Sequence, residues 1–215
     1  MADVLVTRIW GVLVALYGVD IVATQLAGYS TEAGLALAVV GGWMAWRPSR
    51  VAPGVVAVVA LAALAGPASS TETALVMWAS LAVALFDGPE LSAALRAIVV
   101  TAYAFAAANK LFDPFLSGGI LDAYVPELPA PEVVAHLVVI GELGLAAAVA
   151  LRWRYSVAVI SCCHVIFAVL VGTDARHVVS LLVYGAMMAW AASVADPVRP
   201  ERARLGVGAA TAGVG

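Results

Sequence analysis

The chain has 215 residues, of which 64% are hydrophobic and 12% charged, with a formal net charge of −3 and a mean hydropathy of +1.02. Soluble domains carry roughly 25% charged residues, so the composition predicts an integral membrane protein and leaves no stretch for a soluble domain to fold alone. The acidic balance lacks the basic footprint of nucleic-acid binders, which excludes nucleic acid as a partner.

The first hydrophobic run, 8–28, contains Asp20 and leads into further spans, so it reads as a membrane helix rather than a cleavable signal peptide. Along it Tyr17, Asp20 and Thr24 follow helical spacing and form a polar stripe. Asp20 fits a proton relay and fits equally a hydrogen bond to a neighbouring helix. Charges, Gly/Pro clusters and turns then separate runs at 31–46, 51–66, 71–86, 92–112, 132–151, 155–172 and 177–194. The runs at 31–46, 51–66 and 71–86 fall short of the ~20 residues that cross a bilayer core, so a re-entrant pair is an alternative there.

Charge placement tests the count. With a cytoplasmic N-terminus, the inner segments hold Arg8, Arg47, Arg50, Arg96, Arg152, Arg154, Arg199, Arg202 and Arg204, and the outer ones only Lys110 and Arg176. Nine cations against two is the bias of the positive-inside rule. The expectation is therefore an all-α, polytopic transmembrane helix bundle over 1–195, with about eight spans and both termini inside, multi-pass in the cell membrane. Residues 196–215, with three Arg followed by Gly and Ala, are expected to form a disordered cytoplasmic tail.

Ionisable residues inside a bilayer usually face the bundle interior and serve function. Lys110 is the only lysine among eleven cationic residues, at the outer end of the fifth run in YAFAAANKLFDPF. Arg96, Tyr103 and Lys110 recur every seven residues, which puts them on one helical stripe. A lysine at that position either snorkels to the headgroups or, shielded from water, acts as a base. The connection 113–131, DPFLSGGILDAYVPELPAP, is long for a loop without secondary structure of its own, and such loops are often functional.

In the sixth run Glu132 and His136 lie four apart near the outer surface, where an interfacial pair is expected. Glu142 sits about ten residues deeper, and a carboxyl there must be protonated or paired. His164 in the seventh run reaches a similar depth, which makes a Glu142–His164 pair an expectation alongside a purely structural histidine. Cys162 and Cys163 are adjacent, a spacing too strained for a helical disulfide, and read as small core residues. The outer turn TDARH adds Asp174, Arg176 and His177. No CxxC pair, HExxH, GxSxG or Walker-type loop is present, so no metal is expected and metalloprotease, lipase and nucleotide-driven pump are unsupported.

Three segments in order, YAFAAANKLFDPFLSGGIL, VVIGELGLAAAVALRWR and VISCCHVIFAVLVGTDARHVVSLLVYG, resemble the HTTM family, the bacterial membrane domains related to vitamin K-dependent γ-glutamyl carboxylase. The likeness covers about residues 95–190; the first four spans show little that matches. The resemblance implies that Lys110 stands where the family lysine deprotonates a reduced quinone, that His164 stands where the family histidine lies two spans later, and that Glu142 is the embedded acid. It implies a quinone-dependent or carboxylase-like enzyme with Lys110 and His164 catalytic. Tyr103, Glu142, Arg176 and His177 would contact a reduced quinone or another lipid-like ligand. A peptide or protein would be a further substrate. Small quinone-associated proteins of the DoxX type are a neighbouring resemblance. Two other readings stay open: a non-enzymatic carrier or channel with a polar path through Asp20, Glu142 and His164, and a membrane subunit of a redox complex.

Overall fold

Hydrocarbon offers no partner to a backbone N–H or C=O, so a chain this apolar must satisfy its own backbone within helices. The computed structural model describes residues 2–24, 31–65, 70–126, 128–171 and 175–195, and among them the chain is helical with no strand. Eight long helices follow in order: α1 (Ala2–Thr24), α2 (Thr31–Trp46), α3 (Val51–Leu64), α4 (Thr71–Leu85), α5 (Gly88–Ala108), α8 (Pro131–Ala150), α9 (Ser156–Val171) and α10 (Ala175–Ala195). Two short ones, α6 (Asp113–Leu116) and α7 (Gly119–Tyr124), lie within the long 113–131 connection. Both start where the chain gives a reason: Pro114 stands in the first turn of α6, and Gly118 supplies a left-handed residue at φ +80° before α7.

Four of the helices, over Val4–Ala23, Gly88–Ala108, Pro131–Ala150 and Val178–Ala195, are long and apolar enough to cross a membrane. Most elements match the expected runs to within about two residues, but α1 starts at Ala2 and not at 8, and a second shift bears on the site. The fifth helix begins and ends four residues earlier than 92–112, because Asp87, Gly88 and Pro89 start it and Asn109 caps it. Lys110 therefore stands just past the last turn. The expected tail 196–215 lies outside the described residues.

α1 and α2 pack backbone against backbone. A Cβ on Gly41 would lie 2.5 Å from the Ala15 nitrogen, and one on Gly11 2.6 Å from the Ala45 nitrogen. With Gly18 and Gly34 these form a seam of small residues, the means by which membrane helices gain close van der Waals contact. Trp10 then ties α1 to two other helices. Its ring stacks on Trp190 of α10 at 4.5 Å, and its Nε1 donates to Ser80 Oγ of α4 at 2.9 Å. α10 is thus central, packed by α1, α5 and α9. At one end of the bundle Arg50 bridges Asp87 at 2.5 Å, joining the α2–α3 and α4–α5 turns on an exposed surface.

The α1–α2 seam gives a direct test. Gly41→Leu should lower the detergent melting midpoint, with an overpacking cost of about 1–3 kcal/mol, whereas Gly42→Ala, whose Cβ would meet nothing within 4 Å, should leave it unchanged or raise it slightly. Equal tolerance at both positions would mean the helices are not in close contact.

Candidate functional site

In an α-helix the Cα–Cβ bond leans toward the N-terminus, so a lysine at a C-terminal end starts out pointing back along its own helix. Lys110 does so. Its Nζ donates to the Ala106 carbonyl oxygen at 3.2 Å and to Glu142 Oε1 and Oε2 on α8 at 2.8 and 3.0 Å. Nζ thus has three acceptor oxygens within hydrogen-bond distance, matching the three donors of an ammonium. The side chain turns into the bundle instead of snorkelling outward. The Phe115 ring stands 5.9 Å from Nζ, and the two partners keep side-chain exposures of 25% and 19%. Ala106 O is available because the Lys110 backbone N–H bonds Ala107 O instead, which tightens the end of α5. The lysine head therefore caps one of the carbonyls a helix end leaves over.

Two turns back on the same stripe, Tyr103 is buried and its hydroxyl meets His164 Nε2 of α9 at 3.0 Å. His164 is held from a second side by α10. Tyr184 meets the imidazole edge to face at 5.4 Å, and a Cβ on Gly185 would come 2.5 Å from that of His164, so only glycine admits the ring there. With Nε2 engaged by Tyr103, Nδ1 is buried with no hydrogen-bond partner among the described residues. One more turn pair back, Arg96 Nη2 donates to the Ala195 carbonyl oxygen at the C-terminal end of α10, which Ser92 Oγ also bonds at 2.6 Å. The Arg96–Tyr103–Lys110 stripe thus reaches three different helices.

Several expectations are corrected. Glu142 and His164 do not pair; each takes a partner on α5, because α5 packs against α8 while α9 packs mainly on α10. Glu132 and His136 make no ion pair: His136 Nδ1 bonds the Glu132 backbone oxygen at 2.9 Å, the ordinary helical i−4 carbonyl, on an exposed face. Cys162 and Cys163 are free, as expected, but Cys162 is exposed on the bundle surface and Cys163 half-buried, so only the second packs on the core. The side chains of Thr24, Arg176 and His177, and all of Asp174, lie outside the described residues. Asp20 is buried and accepts from Ser180 Oγ of α10 at 2.9 Å, while Tyr17 bonds Thr73 of α4 at 2.8 Å.

A groove of about 670 Å³ runs between α4 and α5, lined by Trp78, Ile98, Thr101, Phe105 and Asn109 among others. By helical spacing these α5 positions stand on the face opposite Tyr103 and Lys110, so this groove does not lie at Lys110. Sequence reading also passed over Ser180 and Tyr184, although their four-residue spacing puts both on one face of α10. No family model, curated protein or solved structure matches the chain.

The pairing predicts its own thermodynamics. Lys110→Met and Glu142→Leu each strand an ionisable partner among apolar helices, and the double change removes both. In detergent melting that cycle should show a coupling of about 1–3 kcal/mol, within the range for residues in contact. The Glu142→Leu/His164→Leu cycle should be additive. A larger coupling in the second cycle than in the first would restore the Glu142–His164 pair.

Proposed function

We propose that the chain is an eight-span membrane protein, with both termini inside, that holds a quinone-class or similarly lipid-like molecule at the Lys110–Glu142 pair and transfers a proton there. The observation that carries this reading is the pair itself: a saturated ammonium–carboxylate contact inside an apolar bundle, still part-exposed, where a membrane protein rarely spends charge without function. The resemblance to the HTTM family, although no family model matches the chain, implies roles for the same three residues, Lys110, Glu142 and His164.

The spacing of the two pairs along α5 would suit a flat ring with a polar atom at each end. Lys110 Nζ lies back at the level of Ala106, three residues from Tyr103, or about 4.5 Å of helix rise. One end of such a ring would meet Nζ and the Glu142 carboxylate, the other Tyr103 and His164. A bound quinone would supply two-electron redox chemistry. The chain's own part differs from the lysine base that the resemblance implies. In this reading the carboxylate of Glu142, which has free lone pairs, is the acceptor, and Lys110 beside it holds the negative charge that develops nearby. His164, clamped by Tyr184 and Gly185, orients Tyr103. Carboxylation of a peptide or protein substrate would be a step beyond this proton transfer.

A second reading has its own observation. Each member of the stripe is bonded to a different neighbouring helix, which is what polar residues that only lock helices together would do.

The two readings part on ligand binding. Added decyl-quinone should raise the melting midpoint of the wild-type protein in detergent, by up to about 2.7 kcal/mol of stabilisation at a hundredfold excess over Kd. Glu142→Gln and Lys110→Met should lose that rise, and Lys110→Arg should keep part of it. No rise in the wild type favours the helix-locking reading, and turnover lost in Lys110→Arg but kept in Glu142→Gln would return the base to Lys110. For topology, single cysteines placed in a Cys162→Ala/Cys163→Ala background should be labelled from outside at Ile120 and from inside at Trp153 and Ala203. Protection of Ile120→Cys from an impermeant outside reagent would overturn the N-in arrangement.

A further inference from the structure

A helix that ends in a left-handed residue usually ends in glycine, because a Cβ is disfavoured in that conformation. α8 ends that way on an arginine. The Trp153 backbone N–H bonds the Ala148 oxygen at 2.9 Å and the Arg152 N–H bonds the Val149 oxygen at 3.1 Å, the paired bonds of a Schellman turn. Arg152 takes the left-handed place in it, at φ +53°. Glycine would close the same turn with less strain, so what the arginine adds is its side chain.

α8 is among the helices long and apolar enough to cross a membrane, which puts the turn that follows it, 151–155, at a membrane face. Every residue of this turn is exposed, Leu151 to 80% and Trp153 and Tyr155 to 47% each. Tryptophan and tyrosine are enriched at the level of lipid headgroups. The Arg154 guanidinium stacks over the Tyr155 ring at 4.4 Å, and Trp153 meets that ring edge to face at 5.6 Å. A guanidinium held on a ring face keeps its N–H edge for a bidentate acceptor such as phosphate.

α8 runs back along α5, since Ala135 and Val139 in its first half pack with Ala107 at the end of α5. Its last turn therefore lies toward the start of α5, where the other arginines are already engaged. Arg50 is bridged by Asp87, Arg96 donates to the Ala195 carbonyl oxygen, and Arg47 lies over the Trp46 ring at 4.8 Å. Neither Arg152 nor Arg154 forms an ion pair among the described residues.

From this arrangement we propose that the α8–α9 turn binds the phosphate headgroup of an anionic membrane phospholipid. Arg152 and Arg154 supply the charge, and Trp153 and Tyr155 hold the turn at headgroup depth. The lipid is the source of the phosphate because the arginines alternate with Trp153 and Tyr155 and follow Leu151, and a dissolved ion has no use for that apolar surface. The site holds for either orientation of the chain and does not depend on the ligand reading of the Lys110–Glu142 pair.

The left-handed arginine provides the test. The delipidated protein in detergent is given an equimolar mixture of phosphatidylglycerol and phosphatidylcholine with matched chains, and retained lipid is counted by native mass spectrometry. The wild type should retain phosphatidylglycerol about tenfold in preference, and Arg154→Gln should lower that preference about fivefold, the effect of one arginine near an anionic headgroup. Arg152→Gly should lower it as far while raising the melting midpoint of the lipid-free protein, because the left-handed Cβ is gone. Arg152→Gln removes the charge but keeps the backbone strain, so it should lose the preference without the rise. Arg47→Gln, with the same change in charge at the same end, should keep the wild-type ratio. No preference in the wild type, or an unchanged one in both Arg152 variants, would overturn the site. Equal loss in Arg47→Gln would overturn it in favour of diffuse attraction by that whole face. A lower melting midpoint for Arg152→Gly would mean that the arginine serves the helix end, and would overturn it as well. Displacement of the lipid by inorganic phosphate would assign the turn to a dissolved anion instead.

Discussion

A charge placed among apolar helices must bring its counter-charge or its hydrogen-bond partners with it, and the arrangement of α5 follows from that constraint. Arg96, Tyr103 and Lys110 lie on one stripe, and their polar heads land on α10, α9 and α8 in turn. Rotating α5 would withdraw all three at once. Leaving a buried donor or acceptor unmet costs about 1–3 kcal/mol, and more for a charge, so the stripe fixes both the rotation of α5 and the choice of its neighbours. The second half of the chain is organised around this helix.

The first half is held by a different force. α1 and α2 meet through Gly11, Gly18, Gly34 and Gly41 at backbone distance, and Trp10 fastens them to α4 and α10 with a stack and one hydrogen bond. Close packing of small residues gives a rigid, dry contact with little to exchange. In the second half, α9 is tied to α5 by a tyrosine–histidine bond. Among the described residues the buried polar atoms without partners touch both halves: they lie at Arg96, His164 and Trp190, the last of which stacks on Trp10.

How much of this was legible beforehand depends on whether a feature is local. The run 31–46 coincides with α2, and the seven-residue recurrence of Arg96, Tyr103 and Lys110 does become one face, because periodicity within a helix is a local property. The α5 boundary was misplaced by one turn since hydrophobicity continues through Leu111 and Phe112, although the Asp87–Gly88–Pro89 start signal was readable. Partner choice was not legible. Equal depth suggested Glu142 with His164, but depth says nothing about which helix lies between two others, and α5 does. The snorkelling alternative for Lys110 was decidable in principle: at the C-terminal end of a helix the Cα–Cβ direction already turns the side chain inward. The packed α1–α2 glycines also had a readable signal, the seven-residue spacing of Gly11 with Gly18 and of Gly34 with Gly41.

The lysine head serves two structures at once, and this bears on why a lysine stands there. Nζ caps Ala106 O, a carbonyl released by the tight end of α5, and pairs with both oxygens of Glu142. An arginine would present a planar fork suited to the carboxylate, but its donors diverge from the helix axis and would leave the carbonyl unmet. The longest of the three contacts is the one to Ala106 at 3.2 Å. Under the proposed reading, an incoming oxygen would take that donor while the carboxylate remains bound, and the displaced carbonyl, part of the helix terminus, would be satisfied by a relaxed turn or the ligand's own hydroxyl. Glu142 would then face the ligand with its charge still balanced by Lys110. Binding through the longest contact would keep acceptor and counter-ion together while a proton moves, so that the pair would not first have to be pulled apart.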